Sequence, residues 1–282
     1  MRARWTRTAR AATALAMAGS VAGSLAACGI GNASAESVAA ADSLTIGVYS
    51  DRPGLSIRDS KGVYTGFDID VAKYVARRLG VPEDHLRWRA VTVAQREPAL
   101  LNGQADMVVA SYSITPERLT KVGFAGPYYV AHQDIMVRAD NTALHNVRDL
   151  KGKRLCQIAG SISEERIIKQ RKISVTLVPA SAYADCVSKL VGGSLDAVST
   201  DDVILAGYAA QQGRRVRMVN APFSDEPMGI GLRNNDVAGC EAVNKAITQM
   251  YQDGTAARLL ARWLGASGLK PTTTVPQFQG CG

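Results

Sequence analysis

The sequence predicts an α/β fold built as two similar lobes. From Ser43 onward short apolar strands alternate with amphipathic helices, which is the pattern of layered α/β structure with a largely parallel sheet. After Tyr128-Tyr129 the alternation begins again and gives a second series of the same kind, without a solenoid period.

The chain opens with Arg2, Arg4, Arg7 and Arg10, then an apolar run from Ala11 to Ala27 with small residues before Cys28. Charge, apolar stretch and small residues in that order predict a secretory signal peptide over 1–27. A membrane-spanning helix is the competing reading, but a run of about 17 residues rich in Ala, Gly and Ser is short for a bilayer. Leu25-Ala26-Ala27-Cys28 resembles a bacterial lipobox, so Cys28 is the expected lipidation site and the outer face of the cell membrane the expected location. Residues 28–42 are small and polar and predict a flexible tether.

Export changes how the other cysteines read. Cys156, Cys186, Cys240 and Cys281 form an even set, which predicts two disulfides with three possible connectivities. No two of them lie two to four residues apart, as a zinc site would need. Of the formal charge of +8, four units belong to the signal-peptide arginines; without them 29 basic and 25 acidic side chains remain, a net +4. That is too weak to argue for nucleic acid. About 255 mature residues suffice for two lobes with cores of their own.

In the first series, 44–48 reads as a strand, Ser50-Asp51-Arg52-Pro53-Gly54 as a turn and 55–64 as a hairpin-like pair. Residues 68–79 carry Ile69, Val71, Ala72, Val75, Ala76 and Leu79 at helical spacing, closed by Gly80 and Pro82. A strand at 86–90, a helix near 94–102, a buried strand at 105–110 and a strand at 133–137 follow. The second series has a short helix at 147–152, strands at 154–158, 175–178 and 197–199, and helices at 163–171, 181–191 and 202–212. Strands at 217–219 and 228–232 precede a long helix at 237–253 and a last one through Leu260 and Trp263.

Four stretches in order carry a resemblance. They are Tyr64-Thr65-Gly66-Phe67-Asp68-Ile69-Asp70-Val71-Ala72, Pro98 to Asp106 (PALLNGQAD), Ser113-Ile114-Thr115-Pro116-Glu117-Arg118 with Phe124 to Tyr129 (FAGPYY), and Asp149-Leu150-Lys151-Gly152-Lys153. Together they resemble the extracellular family 3 solute-binding proteins, the polar amino-acid binders of ABC importers. The similarity spans about 43–265 and is greatest to glutamate-binding lipoproteins of high-GC Gram-positive bacteria, on Gln133, Ala94-Gln95-Arg96-Glu97 and the cysteines. It implies a two-lobed Venus-flytrap fold of the type II periplasmic-binding-protein kind, with two crossing hinge strands near 129–133 and 226–229. Lobe one would comprise 43–128 and 229–265, lobe two 132–225, and 266–282 a tail held by a disulfide. The resemblance also favours the pairings Cys156–Cys186 and Cys240–Cys281, and it implies a monomer that delivers a free amino acid to an ABC permease and its ATPase.

A free amino acid presents a carboxylate and an ammonium, so a buried site needs a planar cation, neutral donors and one fixed anion. Arg118 matches the family's Thr-x-Glu-Arg arginine, and a guanidinium fork suits a carboxylate. Ser111 and Ser113 follow a buried strand, where alternation puts both on one face. Asp201 matches the family's acid for the α-ammonium, although Asp201 or Asp202 can equally cap the next helix. Ser161 and Ile162, between a strand and a helix, are candidate carboxylate contacts through N–H groups, or plain capping residues. Arg96 and Arg52 stand where neutral-ligand relatives carry apolar or aromatic residues, which points to glutamate or aspartate, with asparagine and glutamine as alternatives; Tyr49 would line the same mouth.

No P-loop, Rossmann glycines, metal spacing or Ser-His-Asp order appears, so no cofactor is expected. A few chains of this fold dehydrate cyclohexadienyl acids, which needs a general acid in the cleft; the only histidines are His85, His132 and His145. A receptor signalling to a membrane kinase is the other alternative to transport.

Overall fold

The protein, described from a computed structural model over residues 37–269 and 271–281, is a two-lobed α/β molecule. The expected signal peptide and Cys28 lie outside the described residues. In chain order the first elements are β1 (Leu44–Val48), β2 (Asp51–Arg52), β3 (Ser56–Arg58), β4 (Tyr64–Thr65) and α1 (Phe67–Arg78), then β5 (Leu86–Ala90), α2 (Arg96–Leu101), β6 (Met107–Ser113), α3 (Pro116–Leu119) and β7 (Gly123–Arg138). There follow β8 (Arg154–Ile158), α4 (Ser163–Glu165), β9 (Thr176–Ala180), α5 (Tyr183–Val191), β10 (Val198–Asp201) and α6 (Asp202–Gln212). The last are β11 (Val216–Met218), β12 (Ser224–Leu232), α7 (Val237–Gln252) and α8 (Thr255–Leu264).

One sheet runs through both lobes in the order β10-β7-β12-β6-β1-β5, with β11 also on β7. Its two long strands make this possible. The first half of β7 pairs with β12 from Gly123↔Leu232 to Gln133↔Ser224, and its second half takes β10 on one edge and β11 on the other, Met136 facing both Val198 and Met218. Among the described residues parallel strand pairs are β1–β5, β1–β6 and β8–β9, with one isolated parallel bridge from Leu155 to Ala197. The expectation of a largely parallel sheet is therefore corrected: β7 and β12 cross between the lobes in opposite directions, and every strand they touch pairs antiparallel to them.

We place the lobe boundary at these shared strands. In lobe one, Ile46, Val48, Met107, Val108 and Val109 of the sheet are fully buried, and α1 carries Ile69, Ala72, Val75 and Ala76 on the apolar face that the helical spacing predicts. Trp263 Nε1 donates to Asp70 (2.7 Å) and the Tyr74 hydroxyl to Asp253 (2.6 Å), fixing α8 and α7 on α1. Lobe two has a separate small core of Ile135, Val137, Leu144, Leu150, Leu155, Ile167 and Ala197.

Residues 37–42 are packed rather than a free tether. Val38 is buried, Val38 N–H and the Ser37 hydroxyl both donate to the Asp236 carboxylate, and His85 Nδ1 meets the Asp42 carbonyl. Two disulfides join Cys156 to Cys186 and Cys240 to Cys281, each with Cα atoms 5.7 Å apart. The second holds the tail: Gln279 N–H donates to the Gly126 carbonyl, and Asn244 accepts from Gly126 N–H.

The helix expected over 163–171 instead splits into α4 and a π turn, Arg166–Gln170. That turn delivers Arg166 to Glu226 of β12 as a bidentate pair at 2.9 and 3.1 Å, with Glu226 only 1% exposed. An unpaired carboxylate there would be costly. Arg166→Met should lower unfolding stability by about 3 kcal/mol in chemical denaturation, and adding Glu226→Met should restore most of it; a double variant no more stable than the single one would show that the pair is not the cause.

Candidate functional site

The cleft between the lobes is lined from lobe one by Tyr49, Val93, Arg96, Ser111, Ser113 and Arg118, and from lobe two by Ser161, Ile162, Ser163, Tyr183, Thr200, Asp201 and Ile204. Arg96 begins α2, directly after a 3-10 turn closed by a Thr92/Gln95 capping box. That turn folds its side chain inward, where Nε donates to the Val93 carbonyl (3.1 Å) and Nη1 to Ala110 and Ser111 (3.4 and 3.3 Å).

Arg118 reaches the same point from α3. Thr115 caps that turn, its hydroxyl accepting from Arg118 N–H, and Pro116 supplies the preset first helical residue. Arg118 is 4% exposed; Nη1 donates to the Ser113 carbonyl (2.7 Å) and Nε lies 3.8 Å from Glu97. Both guanidinium groups lie over the Tyr112 ring, 4.2 Å (Arg96) and 4.9 Å (Arg118) from its centroid. Burial, and then the neighbouring Arg96, pull Arg118 down to about 10, which leaves it cationic at neutral pH.

Ser111 does not follow simple strand alternation. Its φ of +41° breaks the extended run of β6, and both its N–H and its hydroxyl donate to Asp68 Oδ2, at 2.9 and 3.0 Å. With its donors spent, Ser111 offers the cleft acceptor lone pairs instead of the donors expected of it. Asp68 is itself fully buried, takes the Tyr128 hydroxyl on its other oxygen (2.8 Å), and is pushed up to about 6 by desolvation against those hydrogen bonds. Asp68 belongs to the Tyr64–Ala72 motif, which by itself does not assign it to the site. The signal is its place at i with Ala72 and Val75 at i+4 and i+7, a carboxylate on the buried stripe.

On lobe two, Asp201 is the last residue of β10, opposite Gln133, rather than a residue beyond the strand. Its side chain makes no cap to α6, whereas Asp202 accepts from Val203 N–H and His132 N–H (2.8 and 3.2 Å). Asp201 is therefore free to face the cleft. Burial, then the Glu226 and Asp202 charges, raise its pKa well above the ordinary value, opposed by Arg96 and Arg118. The Ser161 hydroxyl accepts from Ser163 N–H (3.1 Å) and meets the Tyr183 hydroxyl, so part of the N–H array expected at Ser161-Ile162-Ser163 is already bonded within the loop. Thr200 and Ser163 lie within two residues of a sequence-predicted site residue, Tyr183 and Ile204 face the cleft from α5 and α6, and Val93 opens the 3-10 turn that leads into Arg96.

Arg52 is not among the lining residues. It is 2% exposed in β2, stacked on Tyr49 and Tyr183 with its guanidinium carbon 4.3 and 4.9 Å from their centroids. It pairs with Asp51, its Nη1 donates to the Tyr208 hydroxyl (3.3 Å), and its Nε has no hydrogen-bond partner. Its charge thus sits one layer behind two cleft aromatics. None of His85, His132 and His145 lines the cleft, and no three potential metal ligands cluster among the described residues.

Two buried guanidinium groups and one buried carboxylate line this small cleft between the two lobes. The chain belongs to the bacterial extracellular solute-binding proteins, family 3, whose model matches residues 44–266. It is 39% identical over 233 residues to the glutamate-binding protein GluB of Corynebacterium glutamicum, covering 79% of each chain, and 31% identical over 225 residues to the glutamine-binding protein GlnH of Bacillus subtilis, covering 79% of this chain and 81% of that one. Among solved structures it is similar to an ancestral arginine-binding protein, seen bound to arginine and to glutamine, at a TM-score of 0.73 and 33% identity over 80% of this chain, spanning 99–100% of that one. The chain is accordingly a binding protein and not an enzyme.

Asp201 makes binding of any cation pH-dependent. Its pKa is raised by burial and by the Glu226 and Asp202 charges, and holding a cation favours the ionised carboxylate, so affinity should fall as pH falls through that raised pKa. Titration calorimetry across a pH series should show weakening toward acid by at most about tenfold per pH unit for this one proton, and Asp201→Asn should bind weakly with that dependence gone. An unchanged slope in Asp201→Asn would assign the proton to another group.

Proposed function

We propose that the protein captures an acidic amino acid, glutamate first and aspartate second, between its closing lobes, and delivers it to an ABC permease and its ATPase from a lipid anchor at Cys28. The observation that carries the ligand class is the charge of the cleft: two guanidinium groups, Arg96 and Arg118, packed on one ring, against the single carboxylate Asp201. Glutamate, with two carboxylates and one ammonium, complements that set; a neutral amino acid leaves one desolvated guanidinium unmatched.

In this reading Arg118 takes the α-carboxylate in a forked pair and Asp201 takes the ammonium, helped by the Ser111 oxygen. Ser113, Ser161 and Ile162 supply hydroxyl and backbone groups around the α-carboxylate. Arg96 takes the side-chain carboxylate, Tyr49 forms the wall beside it, and Arg52 strengthens the positive field from behind Tyr49 and Tyr183. Lobe one then spans 43–128 and 229–265 and lobe two 132–225, pivoting where β7 and β12 pass between them. The named relatives bind glutamate, glutamine and arginine, so relatedness supports an amino-acid ligand while the cleft charge supports the acidic one.

The test is thermal stabilisation by each of the twenty amino acids, followed by calorimetry. Glutamate and aspartate should raise the melting temperature, and arginine and histidine should not. Arg118→Ala should abolish every response. Arg96→Ala should cost glutamate about 100-fold in affinity, on the scale of a lost charged hydrogen bond, and glutamine less than tenfold. Saturable arginine binding without a response to glutamate would overturn the acidic specificity.

A further inference from the structure

Two glycines of lobe two stand against the backbone of lobe one, one at each side of the cleft. Gly207 lies in the middle of α6, and a Cβ built on it would overlap the carbonyl group of Pro53. Gly160 follows β8, and a Cβ there would lie 2.9 Å from the Ala94 Cα and 3.1 Å from its N. Both contacts come with hydrogen bonds between the lobes. Beside Gly207, the Tyr208 hydroxyl donates to the Asp51 carbonyl at 2.6 Å and accepts from Arg52. At Gly160, the carbonyl accepts from Arg118 Nη2 (3.1 Å) and Arg96 Nη2 (3.5 Å).

Glycine at 160 has a local reason, since φ there is +79°. Gly207 has none. It sits inside a regular helix with no left-handed backbone, where alanine is the better residue, and no turn or cap requires it. What does require it is the approach of Pro53 across the cleft.

We propose that Gly207 sets the depth to which the lobes close, with Gly160 as its counterpart on the opposite side, and so determines affinity without touching the ligand. The inference rests on the reading that the lobes close on an amino acid. The coupling is direct: Asp201 immediately precedes α6, so a wedge between Gly207 and Pro53 lifts the helix and carries the carboxylate away from Arg96 and Arg118. The adjoining surface of α6, with Val203, Ala206, Gly207 and Ala210, lines one groove together with Pro53, Trp263 and Leu264 of lobe one.

Gly207→Ala is the informative variant, because local helix propensity and lobe closure predict opposite signs. The ligand-free protein should melt at the wild-type temperature or higher, since alanine favours the helix. Affinity for whichever amino acid the wild type binds should fall at least tenfold, mainly through faster dissociation, and small-angle scattering should show a smaller ligand-induced drop in radius of gyration. Gly207→Val should exaggerate both losses. Wild-type affinity and compaction in both variants would overturn the proposal. A fall in ligand-free melting temperature parallel to the loss of binding would also overturn it, marking Gly207 as packing of a fixed interface. If glutamate fails to bind the wild type but another amino acid binds and is weakened by Gly207→Ala, the acidic specificity falls and the closure role stands.

Discussion

The structure turns on how two arginine side chains can be buried side by side in lobe one. Each has left water almost completely, and that burial, together with the repulsion from Arg96, lowers the pKa of Arg118. Their compensation is distributed: backbone carbonyls of Val93, Ala110, Ser111 and Ser113 take their N–H groups, the face of Tyr112 lies between them, and Glu97 stands near Arg118. Two of those carbonyls, Ser111 and Ser113, belong to the C-terminal end of β6, which the Asp68 carboxylate holds in a shape that extended strand would not adopt. A site of this kind is preorganised for anions, because the donors are oriented before a ligand arrives.

The remainder of the fold presents one carboxylate to that pair. Asp201 sits at the junction of β10 and α6, and β10 is registered on the far half of β7, the same strand whose near half belongs to lobe one. A continuous β7 paired with β12 therefore fixes the direction along which Asp201 approaches the arginines. The buried Arg166–Glu226 pair anchors the segment that follows the Ser161–Ser163 rim to β12, so that rim moves with the strand that crosses between the lobes.

Much of this is legible in the sequence because it is local. The helical face of α1, the capped turn Thr115-Pro116-Glu117-Arg118 and the strand-to-helix junction at Asp201-Asp202 follow from spacing and capping residues alone. What was not legible depends on partners far along the chain. The antiparallel character of the sheet arises from β7 and β12, whose pairing spans about a hundred residues. The burial of Arg52 comes from Tyr183 and Tyr208 of the other lobe, and a turn arginine carries no local mark of that. Ser111 looks like an available donor until Asp68 is seen to hold both of its hydrogens. The docking of Ser37 and Val38 on Asp236 likewise has no counterpart in the composition of a small, polar segment.

The central claim is that lobe one holds the anionic groups of the ligand and lobe two its ammonium. A crystal structure of the protein with glutamate tests it most directly. The α-carboxylate should form a forked pair with Arg118, the ammonium should lie within hydrogen-bond distance of Asp201, and the side-chain carboxylate should sit on Arg96. An ammonium placed away from Asp201, or a side-chain carboxylate pointing out of the cleft with Arg96 still bonded only to backbone carbonyls, would contradict it.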